Sequence, residues 1–163
     1  MNRNDLWYGE SSYNVHSGSS YWETYQEPRE IKVVIDSGAS VAALPKSLAR
    51  DYPMKKVIPK NYRTASGEPV RSLGEREPIV NLENGAMAKM KFTVMDVHRP
   101  LAAVSKMVDA GHRIVFDSEE NGGSFVEDRY NNCRHRLYLE NGVYVLPIKI
   151  REAKTKRPFQ WQG

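Results

Sequence analysis

The apolar runs in this chain are short, and many are stopped at or near glycine, proline or an Asn-Gly pair. Ile31–Ile35 gives way to Asp36-Ser37-Gly38, Val41–Leu44 stops at Pro45, and Met54–Ile58 stops at Pro59. Pro78–Leu82 and Ala88–Met95 flank Glu83-Asn84-Gly85. Ile114–Phe116, Phe125-Val126, Arg136–Leu139 and Val143–Ile148 come later, the last two joined by Asn141-Gly142. Runs this short, rich in β-branched residues and divided by turn formers, are expected as strands. The two Asn-Gly pairs mark hairpins, and Tyr62–Glu75 reads as another, with its turn at Ser66-Gly67. One stretch differs. Leu101, Val104 and Val108 recur at helical spacing, Ala103 and Met107 extend the stripe, and Gly111 is placed as a stop. The expectation is an all-β, barrel-like domain with one short late helix.

The chain has 163 residues, of which 40% are hydrophobic and 27% charged, enough for one buried core. The expected organisation is a polar, aromatic leader over 1–29, a folded domain over 30–150 and a basic tail over 151–163. The leader holds Trp7, Tyr8, Tyr13, Tyr21, Trp22 and Tyr25 but almost no aliphatic residues, so it cannot form a core alone. It reads either as a flexible leader or as aromatics that pack on the domain, on a second copy or in a groove. The tail and its approach carry Lys149, Arg151, Lys154, Lys156 and Arg157, then Phe159 and Trp161. They read as a solvated tail, with single-stranded nucleic acid as an optional partner.

Net charge is +4, short of the concentrated basic face of a nucleic-acid reader. The single cysteine, Cys133, excludes an internal disulfide and suits a reducing compartment. Cys133 and His135 lack a second ligand pair, so no metal is expected. No run of about 18 apolar residues is present to span a membrane, and the N-terminus has no secretory pattern.

Chemistry concentrates at Asp36-Ser37-Gly38. As a tripeptide this is ordinary turn composition. An aspartate directly after a buried strand, however, stands half desolvated at the mouth of a core. Gly38 is read as letting the chain turn away from it without a Cβ clash. Two such loops meeting on a two-fold axis would place two carboxylates together. They would share one proton, because like charges so close cannot both ionise. One then acts as base on a water while its protonated partner polarises a peptide carbonyl. The chain has one Asp-Ser-Gly and is too short for two lobes, so the second carboxylate is expected from a second copy. Asp117 also comes after a strand, but no Ser-Gly succeeds it, and it is read as a turn residue.

Val33-Val34-Ile35-Asp36-Ser37-Gly38-Ala39-Ser40 resembles the active-site segment of retropepsin-like aspartic proteases. In particular it resembles the protease region of copia-type (Ty1-like) retrotransposon polyproteins. Thr64-Ala65-Ser66-Gly67-Glu68 with Leu73-Gly74 is similar to the flap-side segment of those elements. Leu101–Phe116 resembles their late helix and following strand, and Asn141–Leu146 the strand after that. The resemblance implies a retropepsin-like acid-protease barrel with one short late helix. It implies an aspartic endopeptidase, active as a homodimer, that cuts its own polyprotein within a cytoplasmic retroelement particle. Asp36 would be the catalytic aspartate, with Ser37 and Gly38 completing the loop and Ser37 bonding across the axis. Ala65, Ser66 and Gly67 would lie at or near the flap tip, over a polyprotein or peptide substrate. No cofactor is implied. The chain departs from the family at Ala102-Ala103, where retroviral members have glycine, and at Val41-Ala42, near which copia-type members often carry histidine. Two rival readings are a catalytically inactive retropepsin-like dimerisation or binding module, and a nucleic-acid-binding polyprotein fragment using the tail.

Overall fold

The structure, a computed structural model, describes residues 7–9, 29–64 and 66–153. Its strands are β1 (Trp7–Gly9), β2 (Arg29–Asp36), β3 (Ala43–Pro45), β4 (Asn61–Arg63), β5 (Pro69–Arg76), β6 (Ile79–Leu82) and β7 (Met87–Met90). They continue with β8 (Phe92–Met95), β9 (Leu101–Ala103), β10 (His112–Val115), β11 (Ser124–Asp128), β12 (Cys133–Glu140) and β13 (Val143–Ile150). Helix α1 covers Val104–Asp109, and a single 3-10 turn covers Glu119–Asn121. The class is therefore all-β, as the short runs require.

β13 organises the sheet. Along one edge it pairs antiparallel with β2, from Val145 opposite Val34 to Ile150 opposite Arg29. Its other edge is shared. Val143–Val145 pair with β12, and Ile148–Ile150 pair with β6. Pro147, which has no N–H to offer a ladder, falls in the gap between these two partners. Tyr138 on β12 clips the fork by donating its hydroxyl to the Glu83 carboxylate just after β6, at 2.9 Å. Val33 and Ile35 of β2, Leu146 and Ile148 of β13, and Phe92, Leu44, Met107, Val126 and Leu137 form the buried core.

The expected barrel is corrected to an open, forked sheet. The strand path runs β1-β7-β6-β13-β2-β9-β3-β8-β5-β4, and β10, β11 and β12 branch from β13. β1 and β4, at the two ends, each have one neighbour among the described residues. The edge of β13 that would have to carry a continuous wall is divided between two branches.

Three local expectations also change. Met54–Ile58 is not a strand; Lys55 makes only an isolated bridge to Glu75, between the breakers Pro53 and Pro59. Ala88–Met95 divides at Lys91, because β7 pairs with β6 whereas β8 pairs with β3 and β5. The late helix starts at Val104, since Leu101–Ala103 are drawn into the sheet as β9. Only Met107 of α1 is fully buried, and Val108, counted in the helical stripe, is 53% exposed. The stop at Gly111 stands: its φ is +98°, and its N–H reaches Val108 O at 3.0 Å.

Trp7–Gly9 lie antiparallel to β7, which a wholly unpacked leader does not include. The rest of residues 1–28, and the tail from 154 onward, lie outside the described residues.

Candidate active site

β2 carries Val33, Val34 and Ile35 into full burial and ends at Asp36, which is half-buried. The path of the chain beyond Asp36 is set by β9. That strand runs parallel to β2, with Val34 opposite Leu101, Ile35 opposite Ala102 and Asp36 opposite Ala103. On its far side it runs antiparallel to β3, through Ala43 and Leu101. The two strands that flank the Asp-Ser-Gly loop are thus kept apart by a third strand. The loop has to arch over the end of that strand, and α1 starts at the same place. Ala102 and Ala103 are both buried there, so a methyl group occupies each of these positions.

Within the loop the Gly38 N–H donates to Asp36 Oδ1 at 2.8 Å, and the Ala39 N–H donates to Asp36 O at 3.5 Å. The aspartate holds its own turn, in the way Asp commonly does. Ser37 and Gly38 are exposed. Gly38 is not in the left-handed region, and a Cβ built on it would meet Asp36 Oδ1 at 3.4 Å, ordinary contact. The expected steric need for glycine is therefore corrected: within one chain, alanine fits.

The flap-side segment is a hairpin. β4 and β5 pair from Asn61 opposite Arg71 to Arg63 opposite Pro69. Its tip is held by Gly67 N to Thr64 O (2.9 Å), Thr64 N to Glu68 O (2.9 Å) and Glu68 N to Thr64 Oγ1 (3.1 Å). Arg63 Nη1 also donates to Gly67 O at 2.8 Å. Gly67 has φ +90°, which favours glycine. Ser66 and Gly67 are exposed at the tip, and Ala65 lies outside the described residues. Asp36, Ser37 and Gly38 thus share one loop, whereas Ser66 and Gly67 stand on a separate hairpin, reached from β2 through β9, β3 and β8. Among the described residues no hydrogen bond joins the two.

Sequence reasoning missed a buried polar group on the β13 branch. His112, Asp128 and His135 are 2%, 4% and 8% exposed. His112 lies opposite Asp128, and His135 opposite Val126. Asp128 accepts from the Tyr130 N–H (2.9 Å) and from Asn131 Nδ2 (2.7 Å). Burial pushes the His135 imidazole below its ordinary range; His112 adds to this and Asp128 opposes it. The signal was available, since Cys133, His135 and Leu137 share one face at a period of two. Among the described residues no group of three or more histidine, cysteine or acidic side chains is arranged to hold a metal ion.

Compared with protein-family models, curated proteins and solved structures, the chain matches none of them. Among the described residues no helix is long and apolar enough to cross a membrane.

Proposed function

We propose that this chain is a retropepsin-like aspartic endopeptidase from a copia-type retrotransposon polyprotein, acting as a homodimer in a cytoplasmic particle. One observation carries the reading. Asp36 ends a buried strand that β9 separates from the next, and its loop is turned outward with Ser37 and Gly38 exposed. A half-buried carboxylate on an outward loop has the placement needed to face a second copy of itself. Oδ1 is engaged by the Gly38 N–H, which fixes the orientation of the carboxylate. In the pair, the two Asp36 carboxylates hold one proton. The ionised one takes a proton from water as that water attacks the peptide carbon, and the protonated one hydrogen-bonds the carbonyl oxygen. Substrate lies extended beneath the β4–β5 hairpin, with Ser66 and Gly67 at the covering tip. Cleavage needs the singly protonated pair, so its pH profile is bell-shaped and favours acid to mildly acidic conditions.

The test is sedimentation together with peptide cleavage for wild type and Asp36→Asn. Asparagine keeps an oxygen for the Gly38 N–H but cannot act as the base. The expected result is a dimer for both proteins, similar melting, and a cleavage rate reduced at least about 100-fold in the variant. Retained cleavage removes Asp36 from the chemistry. A wild-type dimer that cuts nothing leaves the binding-module reading.

A further inference from the structure

We propose that the outer edge of β4 is a docking strand for an extended, acidic peptide supplied by another chain. The backbone provides the first part of the argument. Ser72 N donates to Lys60 O and Thr64 N to Glu68 O, both at 2.9 Å, so residues 60 and 64, which flank β4, are hydrogen-bonded to β5 and to the residue just before it. Such pairs alternate along an antiparallel ladder, and Asn61 and Arg63 fall in the other class. Their N–H and C=O groups therefore point away from β5. β4 ends the strand path, so no described strand takes these groups up. Pro69, opposite Arg63, also falls in the non-bonded class, so its missing N–H costs the hairpin nothing.

The charges give the second part. Lys55, Lys56, Lys60, Arg63 and Arg71 are all exposed on this arm or its approach. Among the described residues none of them makes an ion pair. Several basic residues elsewhere on the sheet are paired. Lys32 pairs with Glu140, Lys91 with Glu75, Arg113 and Arg134 with Glu127, and Arg136 with Glu119. Glu68 is the one exposed acid on the described hairpin. Unpaired positive charge on an edge strand repels another copy of the same edge, which is how proteins guard such edges. The same charge attracts a strand of opposite sign.

The exposed apolar residues give the third part. Ile58 is 81% exposed, Leu73 48% and Met54 38%, all beside the basic side chains. An added strand gains affinity from main-chain hydrogen bonds and specificity from alternate side chains, so this mix fits a peptide alternating acidic and apolar residues. Single-stranded nucleic acid is favoured less, because stacking platforms need several aromatics and Tyr62 is the one aromatic on the described hairpin. The docking edge is separate from the Asp36 loop and does not rest on the protease reading.

The test is an NMR and anisotropy titration of the full chain carrying Asp36→Asn, so that no hydrolysis intervenes. The probes are a ten-residue peptide alternating glutamate with valine and tyrosine, the same peptide with lysine for glutamate, and a ten-nucleotide single-stranded RNA. The acidic peptide should bind, shift the Asn61 and Arg63 amides, and weaken as salt rises. Arg63→Glu with Arg71→Glu should weaken it about tenfold or more while the melting temperature holds. Asn61→Pro, which removes an outward N–H without breaking a β4–β5 bond, should also weaken it. Equal binding of the two peptides, shifts confined to other strands, or tighter binding of the RNA overturns the proposal.

Discussion

Asp36 and Ala103 stand side by side in the parallel register of β2 and β9. Ala103 is 0% exposed, so the residue next to the carboxylate has no room to grow. Ala103→Leu should lower stability by about 1–3 kcal/mol through overpacking, read as a drop in the urea midpoint. If Asp36 acts as proposed, cleavage falls further than the folded fraction does, because the strand beside it has moved. An unchanged midpoint would mean that the β2–β9 contact is looser than its burial implies.

Of two glycines, one should be costly to replace with alanine and the other should not. A Cβ on Gly74 would meet Met54 Cγ at 2.6 Å and the backbone oxygen of Lys55 at 2.8 Å. Gly74→Ala must therefore displace the Lys55–Glu75 bridge, at a cost of about 1–3 kcal/mol. Gly38→Ala meets only ordinary contact and should leave the melting temperature within about a degree of wild type, a shift worth a few tenths of a kcal/mol. Thermal denaturation of the two variants side by side decides this.

Acid should loosen the β10–β12 branch. The folded state holds the His135 imidazole below its ordinary value of 6.5, with burial as the leading cause. Between that lowered value and 6.5 the unfolded chain binds a proton that the folded chain refuses. Stability from this group is complete above about 6.5 and is lost as pH falls through the window below it. Urea midpoints measured from pH 8 to pH 5 should decline, and His135→Gln should flatten the slope whatever its own effect on stability.

Arg76 is 9% exposed and donates from Nη1 to Lys46 O at 2.9 Å and to Leu48 O at 3.0 Å. It holds the turn after β3 to β5. Arg76→Ala strips both carbonyls of a charged donor and should cost about 2–3 kcal/mol in chemical denaturation. A loss below about 0.5 kcal/mol would show that water replaces the guanidinium freely.

Much of the strand pattern was legible because its causes are local. Gly67, Gly85, Gly111 and Gly142 all have positive φ, and each falls where the turn or stop was expected. The Asp36 loop was legible for the same reason, as a buried run ending in turn formers. β9 was not. Leu101-Ala102-Ala103 shares helical spacing with Val104, Met107 and Val108, and only pairing with β2, far away in sequence, makes it a strand. Likewise, nothing local to Val143–Ile150 says that two different strands share one of its edges. Whether two Asp36 side chains meet is a property of a pair of chains, and no pattern within one of them encodes it directly.

β13 is the last strand of the described chain, and it is the neighbour of β2, β6 and β12 alike. On a ribosome, β2 emerges early and waits for this partner until residue 150 has been made. Until then β2 has β9 on one edge, and its other edge is without the strand that covers it. Assembly of the whole sheet is therefore tied to completion of this segment, and a chain cut short before Val143 lacks the strand that unites the run from β2 to β4 with the β6–β7–β1 and β10–β12 branches.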